Sequence, residues 1–150
     1  MRDLNSVLLA AFAVLAGVAL PIQAALNARV RIVVGNPIRA SLASFAVGIV
    51  LLAALAFTAR EPLPGLATLA RAPWWIWFGG ALGAFYIVGS IVVLPRLGSA
   101  FTFALVVAGQ MAASLAIDRF GLFGVPQTSF SLQRLAGAAL LVGGVLLVRK

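Results

Sequence analysis

Side chains able to hydrogen-bond a small molecule recur within long apolar stretches of this sequence. Gln23 and Asn27 are four residues apart, so on a helix they share one face. Gln110, Ser114 and Asp118 repeat at the same interval and predict one polar stripe. Their amide and hydroxyl groups can orient a ligand by hydrogen bonds, and Asp118 is the acidic group placed to exchange a proton near the end of an apolar segment.

Each of these groups also has a structural interpretation. Gln23 and Asn27 can bond a neighbouring helix, Ser114 can bond its own backbone, and Asp118 can pair with a nearby arginine or face water. Pro21, just before Gln23, removes a backbone donor and can open or kink a helix at that point.

A further polar pair follows a glycine motif. Gly79 and Gly83 have the small-xxx-small spacing that allows helices to pack closely, and Tyr86 and Ser90 continue the same face. The glycines predict helix packing, and Tyr86 and Ser90 are candidates to reach a cavity. Gly137 and, seven residues later, Gly144 predict a helix or dimer interface.

The composition determines which elements must position these groups. Hydrophobic residues make up 63% of the 150, charged residues only 9%, and the mean hydropathy is +1.15. A soluble domain carries about 25% charged residues, so we predict an integral membrane protein.

The residue types also argue against several classes of function. The chain has no His or Cys and three acidic residues, which argues against an enzyme, a metal or another cofactor. Its eleven basic residues are scattered, unlike those of a nucleic-acid-binding surface.

Apolar segments long enough to cross a bilayer, which requires about 20 helical residues, predict a five-span bundle. The fold class is therefore all-α, with residues 1–150 as a single transmembrane domain. The first run is too long for the apolar part of a signal peptide, so we expect it to remain. Helix breakers separate the runs at Asn36-Pro37, Pro62 to Gly65, Ala72-Pro73, Pro95 to Gly98 and Val125-Pro126. The predicted spans are 7–26, 38–57, 74–94, 99–117 and 130–148.

The basic residues do not indicate one orientation. Five spans place five on the N-terminal side (Arg2, Arg60, Arg71, Arg119, Arg134) and six on the other (Arg29, Arg31, Arg39, Arg96, Arg149, Lys150). Orientation normally follows the side richer in Lys and Arg. Two hypotheses stay open: a fixed orientation set by the cluster of Arg29, Arg31 and Arg39, and insertion in both orientations with antiparallel pairing. The odd span number favours the second, because two inverted halves cannot fit within five spans.

The order and spacing of short motifs along nearly the whole chain resemble the five-span YdcZ-like branch of the drug/metabolite transporter superfamily, whose EamA-like relatives have ten spans in two inverted halves. The motifs are Gly17 to Gln23 with Asn27; Asn36-Pro37 with Ser41, Ser44, Phe45 and Gly48; Gly79 to Tyr86; Pro95 to Gly98; and Gly109-Gln110 with Ser114, Asp118 and Phe120-Gly121. The resemblance implies half of an inverted-repeat transporter, located in the inner membrane and paired with itself or a close homologue.

We therefore expect a secondary transporter that exports a small metabolite by alternating access. An antiparallel homodimer would enclose a cavity lined by Gln23, Tyr86 and Gln110. Two alternatives stay open: a non-transporting subunit of a larger membrane complex, and a flippase for a lipid-linked substrate. The substrate, the coupling ion and the direction of transport do not follow from the sequence.

Overall fold

The computed structural model describes residues 2–59, 62–129 and 131–149, with side chains from Leu4 onward. The predicted all-α membrane fold is confirmed, and the described residues contain no strand. The helices group into two units, Met1–Pro95 and Arg96–Lys150. The first unit contains α1 (Arg2–Val34), α2 (Pro37–Ala59), α3 (Leu66–Arg71), a 3-10 turn (Trp74–Trp77) and most of α4 (Phe78–Leu97). The second contains α5 (Ser99–Phe120), a 3-10 turn (Leu122–Gly124) and α6 (Leu132–Val148).

Within the described ranges, four helical segments are long and apolar enough to cross a membrane: Leu4–Val34, Pro37–Ala59, Trp74–Leu97 and Ser99–Phe120. Each covers one predicted span and extends beyond it at one end or both. Helix α1, with 33 residues, is about 50 Å long, more than the hydrocarbon thickness of about 30 Å. Helix α6 is shorter, with 17 residues, and Phe130, the predicted start of the fifth span, lies outside the described residues.

The connection between α1 and α2 is a tight bend at Gly35 and Asn36. Gly35 has φ +75°, a left-handed conformation that suits a residue without a Cβ. The side-chain oxygen of Asn36 accepts from the backbone N–H of Ile38 at 2.7 Å, which caps α2, and Pro37 occupies its first position. The break predicted at Asn36-Pro37 is present.

The core of the first unit is small and lies where α2 and α4 meet the end of α1. Ala40, Ile87 and Ile91 are buried, with Val30, Val34, Phe45 and Tyr86 packed around them. The terminal ring carbon of Phe45 lies 3.7 Å from the position that a Cβ on Gly83 would take, so Gly83 lies at the contact with α2 and an alanine would also fit there. Most other large apolar side chains are exposed, as lipid contact requires.

Helix α4 continues through Pro95 to Leu97, so the turn expected from Pro95 to Gly98 shortens to Gly98 alone. Pro95 has no N–H for the carbonyl of Ile91, four residues earlier. The Arg31 guanidinium donates to that oxygen instead, with Nη1 at 3.4 Å. Gly98 then turns the chain with φ +77°, and its carbonyl accepts from the Thr102 hydroxyl at 2.7 Å. A donor from α1 thus satisfies the carbonyl that the proline inside α4 leaves without its helix hydrogen bond.

In the second unit, α5 and α6 pack together through a connection that bonds back to the end of α5. Gly121 ends α5 in the left-handed conformation. The Gln127 side-chain amide donates to the Arg119 carbonyl at 2.9 Å, and the Thr128 N–H donates to the Asp118 carbonyl at 2.8 Å. The Ser131 hydroxyl oxygen accepts from the backbone N–H of Arg134 at 3.2 Å and caps the start of α6.

Candidate functional site

A groove between α1 and α2 brings together polar residues from both helices. Gln23 and Asn27 line it from α1, and Ser44 and Gly48 from α2. Its volume is about 520 Å³, within the roughly 300–1,000 Å³ of small-molecule sites. The other lining residues are apolar: Ala19, Ile22, Leu26, Val30, Ala43 and Val47. The groove therefore offers a few hydrogen-bonding groups on an apolar surface.

The predicted common face of Gln23 and Asn27 is present, although the two side chains differ in environment. Helix α1 continues through Pro21 as one helix, which keeps the two residues one turn apart. Asn27 is buried, with 6% of its surface exposed, whereas Gln23 is exposed. Neither side-chain amide bonds another group among the described residues, so the donors and acceptors of both remain available.

Small residues on α2 keep the groove open. A Cβ added at Gly48 would meet nothing within 4 Å, so the space beside this glycine is empty. Ser44, one turn before Gly48, adds a hydroxyl to the same wall. Ser41, a further three residues back, is buried and donates to the Pro37 carbonyl at 3.0 Å, so its hydroxyl is already paired.

Helix α4 contributes two sequence-predicted residues that lie outside the groove lining. Ser90 is buried and donates to the Tyr86 carbonyl at 2.8 Å, which gives its hydroxyl a structural role. Tyr86 packs against the buried cluster that also contacts Val30, a residue of the groove wall. Its hydroxyl is buried and has no hydrogen-bond partner among the residues that the structure describes. An unpaired buried hydroxyl costs about 1–3 kcal/mol, so a partner from outside the described chain would be favourable.

The polar stripe of α5 divides between two environments. Ser114 and Asp118 line a groove of about 360 Å³ between α5 and α6, together with Arg134 and Gly137 of α6. Asp118 accepts from the Arg134 guanidinium at 3.1 Å, with the two side chains 34% and 42% exposed. This ion-pair partner lies on the facing helix, α6. Gln110 is exposed and outside this lining.

Within each unit, then, the structure brings two of the predicted site residues together in one groove, and Tyr86, Ser90 and Gln110 lie outside both linings. Gln23 lies with Asn27, and Ser114 with Asp118. The sequence predicts no site role for Ser44 and Gly48, and the spacing of the motif that contains them is the signal that points to them. Arg31 counts as a loop charge in the sequence, although Pro95 implies that the Ile91 carbonyl needs another donor.

With this geometry established, comparison with known proteins assigns the family. Residues 8–147 match the family described as "Putative inner membrane exporter, YdcZ". The chain belongs to the YdcZ family. It is similar to the inner membrane protein YdcZ of Escherichia coli (strain K12), with 32% identity over 148 residues, covering 98% of each chain. No solved structure matches the chain.

YdcZ membership agrees with the resemblance drawn from the motifs and with the apolar helices. The protein is a multi-pass inner membrane protein of an exporter family. The description of the family is that of an exporter, which is a membrane transporter. The α1–α2 groove, with free amides and no charged lining residue, is the strongest ligand-site candidate on the described chain.

Proposed function

We propose that this protein exports a small, uncharged molecule that binds in the groove between α1 and α2. The observation that carries the proposal is the convergence of Gln23 and Asn27 with Ser44 and Gly48 on one groove. Two free amides and a hydroxyl can orient a polar part of the cargo, and the apolar walls can contact the rest. This distribution of few polar groups on apolar walls is typical of small-molecule sites.

The lining of the groove favours a neutral cargo. None of its lining side chains carries a charge. A charged group moved out of water without an opposite charge loses far more hydration energy than amide hydrogen bonds restore. A weakly polar molecule loses little hydration and gains contacts with residues such as Ile22 and Val47. We infer that the amides select the orientation of the cargo while its apolar part supplies affinity.

Tyr86 and Gln110 are two further candidates for contact with the cargo, each argued from its own surroundings. The unpaired hydroxyl of Tyr86 is a donor and acceptor held ready beside the cluster that supports the groove wall. Gln110 is an exposed amide on a span of predominantly apolar residues. Polar side chains at membrane depth usually face a protein interior or a water-filled cavity. In this proposal the assembled transporter supplies that cavity.

The proposed assembly is an antiparallel homodimer that works by alternating access. Larger transporters use two inverted repeats that meet at a site near the midplane. Five spans provide one such half, and the nearly equal basic counts of five and six permit insertion in both orientations. A second, inverted copy would supply the other half, and rocking of one half against the other would open the site to each side in turn.

Filling the groove tests its role in export. Gly48→Leu places a side chain into the groove, and Gly17→Leu is the matched control, because a Cβ at either glycine meets nothing within 4 Å and Gly17 lies outside the lining. The assay is growth of an efflux-deficient bacterium exposed to a panel of small uncharged inhibitors. We expect the wild type and Gly17→Leu to raise tolerance to at least one inhibitor, and Gly48→Leu to abolish that gain at equal expression. Equal tolerance in both variants would contradict the proposal.

Removing one amide at a time tests how the cargo is oriented. Gln23→Leu and Asn27→Leu each eliminate an amide at similar side-chain size, and Gln133→Leu makes the same change on exposed α6. Loss of one hydrogen bond to the cargo weakens its binding roughly threefold to tenfold. We therefore expect lower tolerance from the first two variants alone. Wild-type export in both would refute the role of the amides.

The orientation of the chain has its own test. Reporters that are active on opposite sides of the membrane are fused after Lys150 in parallel strains. Comparable signal from both reporters supports antiparallel pairing of one chain. Signal from one reporter alone would refute the antiparallel homodimer and direct the search to an oppositely oriented homologue.

A further inference from the structure

A second groove of the first unit combines arginines with an apolar wall. Arg29 and Arg31 lie in the last two turns of α1, and Ala28 and Ile32 flank them in the sequence and also line the groove. Leu94 and Pro95 of α4 form the opposite wall, and the groove has a volume of about 570 Å³. This groove is distinct from the one lined by Gln23 and Asn27, and the proposed export path does not use it.

Neither arginine has an acidic partner in the part of the chain that the structure describes. Arg134 and Asp118 form the ion pair among the described residues, and neither Arg29 nor Arg31 has a carboxylate contact there. Asp3 precedes Arg29 by 26 residues, about 39 Å along a helix. Glu61 follows the far end of α2 in the chain. Among the described side chains, no carboxylate therefore balances the positive charge of this groove.

The distribution of acidic residues across the membrane strengthens this imbalance. In the five-span order, Asp3, Glu61 and Asp118 all belong to the N-terminal side. That side has five basic and three acidic residues, a net charge of +2, whereas the opposite side has six basic and none acidic, a net charge of +6. The total of +8 agrees with the whole-chain charge. The arginine groove lies on the side that attracts anions more strongly.

The groove is also held in shape. Arg31 donates through Nη1 to the Ile91 carbonyl, so α4 is tied to α1 beside Leu94 and Pro95. A guanidinium has five N–H donors, and this bond uses one of them. Arg29 is exposed and keeps its guanidinium for a ligand. The site thus presents two cationic groups beside an apolar surface that the protein already fixes.

We propose that this groove binds the headgroup of an anionic phospholipid. The phosphate would contact Arg29 and the free donors of Arg31, and the first part of an acyl chain would lie along Ala28, Ile32 and Leu94. Basic pockets between transmembrane helices are suited to lipid phosphates. A free inorganic phosphate has the same charge chemistry but gains nothing from the apolar wall, which is why the lipid is the favoured source. The proposal stands whether or not the α1–α2 groove carries cargo.

Lipid binding to the purified, full-length protein tests the site directly. In detergent micelles, native mass spectrometry compares bound phosphatidylglycerol with bound phosphatidylcholine for the wild type, Arg29→Gln and Arg71→Gln. Arg71 is an exposed arginine at the end of α3, outside the groove, and is the matched control. One basic residue near an anionic headgroup changes the binding constant about fivefold. We expect Arg29→Gln to weaken phosphatidylglycerol binding by that factor and Arg71→Gln to leave it within twofold of the wild type.

Ala28→Phe separates shape from charge, because it fills the apolar wall and keeps both arginines. We expect it to lower phosphatidylglycerol binding as well. Inorganic phosphate, added in a competition arm, should not displace the lipid. Equal retention of the two lipids, equal loss in Arg29→Gln and Arg71→Gln, or displacement by inorganic phosphate would each overturn the proposal. None of these measurements depends on export, so a failure here leaves the proposed function untouched.

Discussion

Replacing Arg31 with methionine removes the donor that replaces the missing N–H of Pro95. The bond from Nη1 to the Ile91 oxygen is 3.4 Å, long for an N–H···O hydrogen bond. Hydrogen bonds to charged groups contribute about 1.5–3 kcal/mol at good geometry, so we assign this longer one about 1 kcal/mol. Methionine preserves an unbranched apolar chain, which limits the loss of packing.

The double variant isolates this bond from other effects of Arg31. Pro95→Ala restores the N–H that the Ile91 carbonyl needs within α4, so the guanidinium loses that role. We expect Arg31→Met to lower the free energy of unfolding by about 1 kcal/mol more in the wild type than in the Pro95→Ala background. Arg39→Met, at an exposed position on α2, is the control and should change stability by less than about 0.5 kcal/mol.

Unfolding in mixed micelles, with the fraction of sodium dodecyl sulfate as denaturant, measures these differences. Three tryptophans (Trp74, Trp75 and Trp77) in the first unit provide the fluorescence signal. Additive effects, with a coupling below about 0.3 kcal/mol, would refute the assignment of Arg31 to the carbonyl freed by Pro95. A coupling near 1 kcal/mol supports it.

Three further changes have defined outcomes in the same unfolding assay. Tyr86→Phe removes a buried hydroxyl without a partner, so stability should stay equal or rise; a loss above about 1 kcal/mol would reveal a partner. Ala40→Leu overfills a fully buried position and should lower the free energy of unfolding by about 1–3 kcal/mol, while Ala46→Leu on the exposed face of α2 should leave it nearly unchanged. Similar losses in both variants would contradict the assignment of Ala40 to the buried core. Asp118→Asn breaks a partly exposed pair with Arg134 and should cost less than about 1 kcal/mol, decreasing with salt; a larger cost would indicate a buried role.

The span positions follow from the sequence because membrane crossing depends on length and composition. A run of about 20 apolar residues must form a helix in lipid, and the breaks at Asn36-Pro37 and Ala72-Pro73 appear where the sequence predicts them. The ends of the helices are less predictable. The sequence predicts a turn that begins at Pro95, whereas the structure places Pro95 inside α4. The Ile91 carbonyl, which Pro95 leaves without a helix donor, accepts from Arg31, 64 residues before Pro95 in the chain.

The packing faces are harder to predict for a physical reason. A soluble helix reveals its buried face by an apolar stripe, whereas a helix in lipid is apolar on all sides. The spacing of Gln23 and Asn27 predicts a shared face, but it does not distinguish the buried Asn27 from the exposed Gln23. Nor does it reveal that Ser44 and Gly48 would face them, since that depends on how α2 rotates against α1.

Cysteine labelling tests most directly whether the α1–α2 groove is an aqueous path for cargo. The chain has no cysteine, so each introduced thiol is the sole target. Maleimides react with the thiolate, which forms in water and is suppressed in lipid. Ser44→Cys lies in the groove, and Ile49→Cys, 65% exposed on α2 outside the groove, is the matched lipid-facing position. In intact cells we predict that Ser44→Cys reacts with a polar maleimide and Ile49→Cys does not; equal reactivity, or protection of both, would contradict the account.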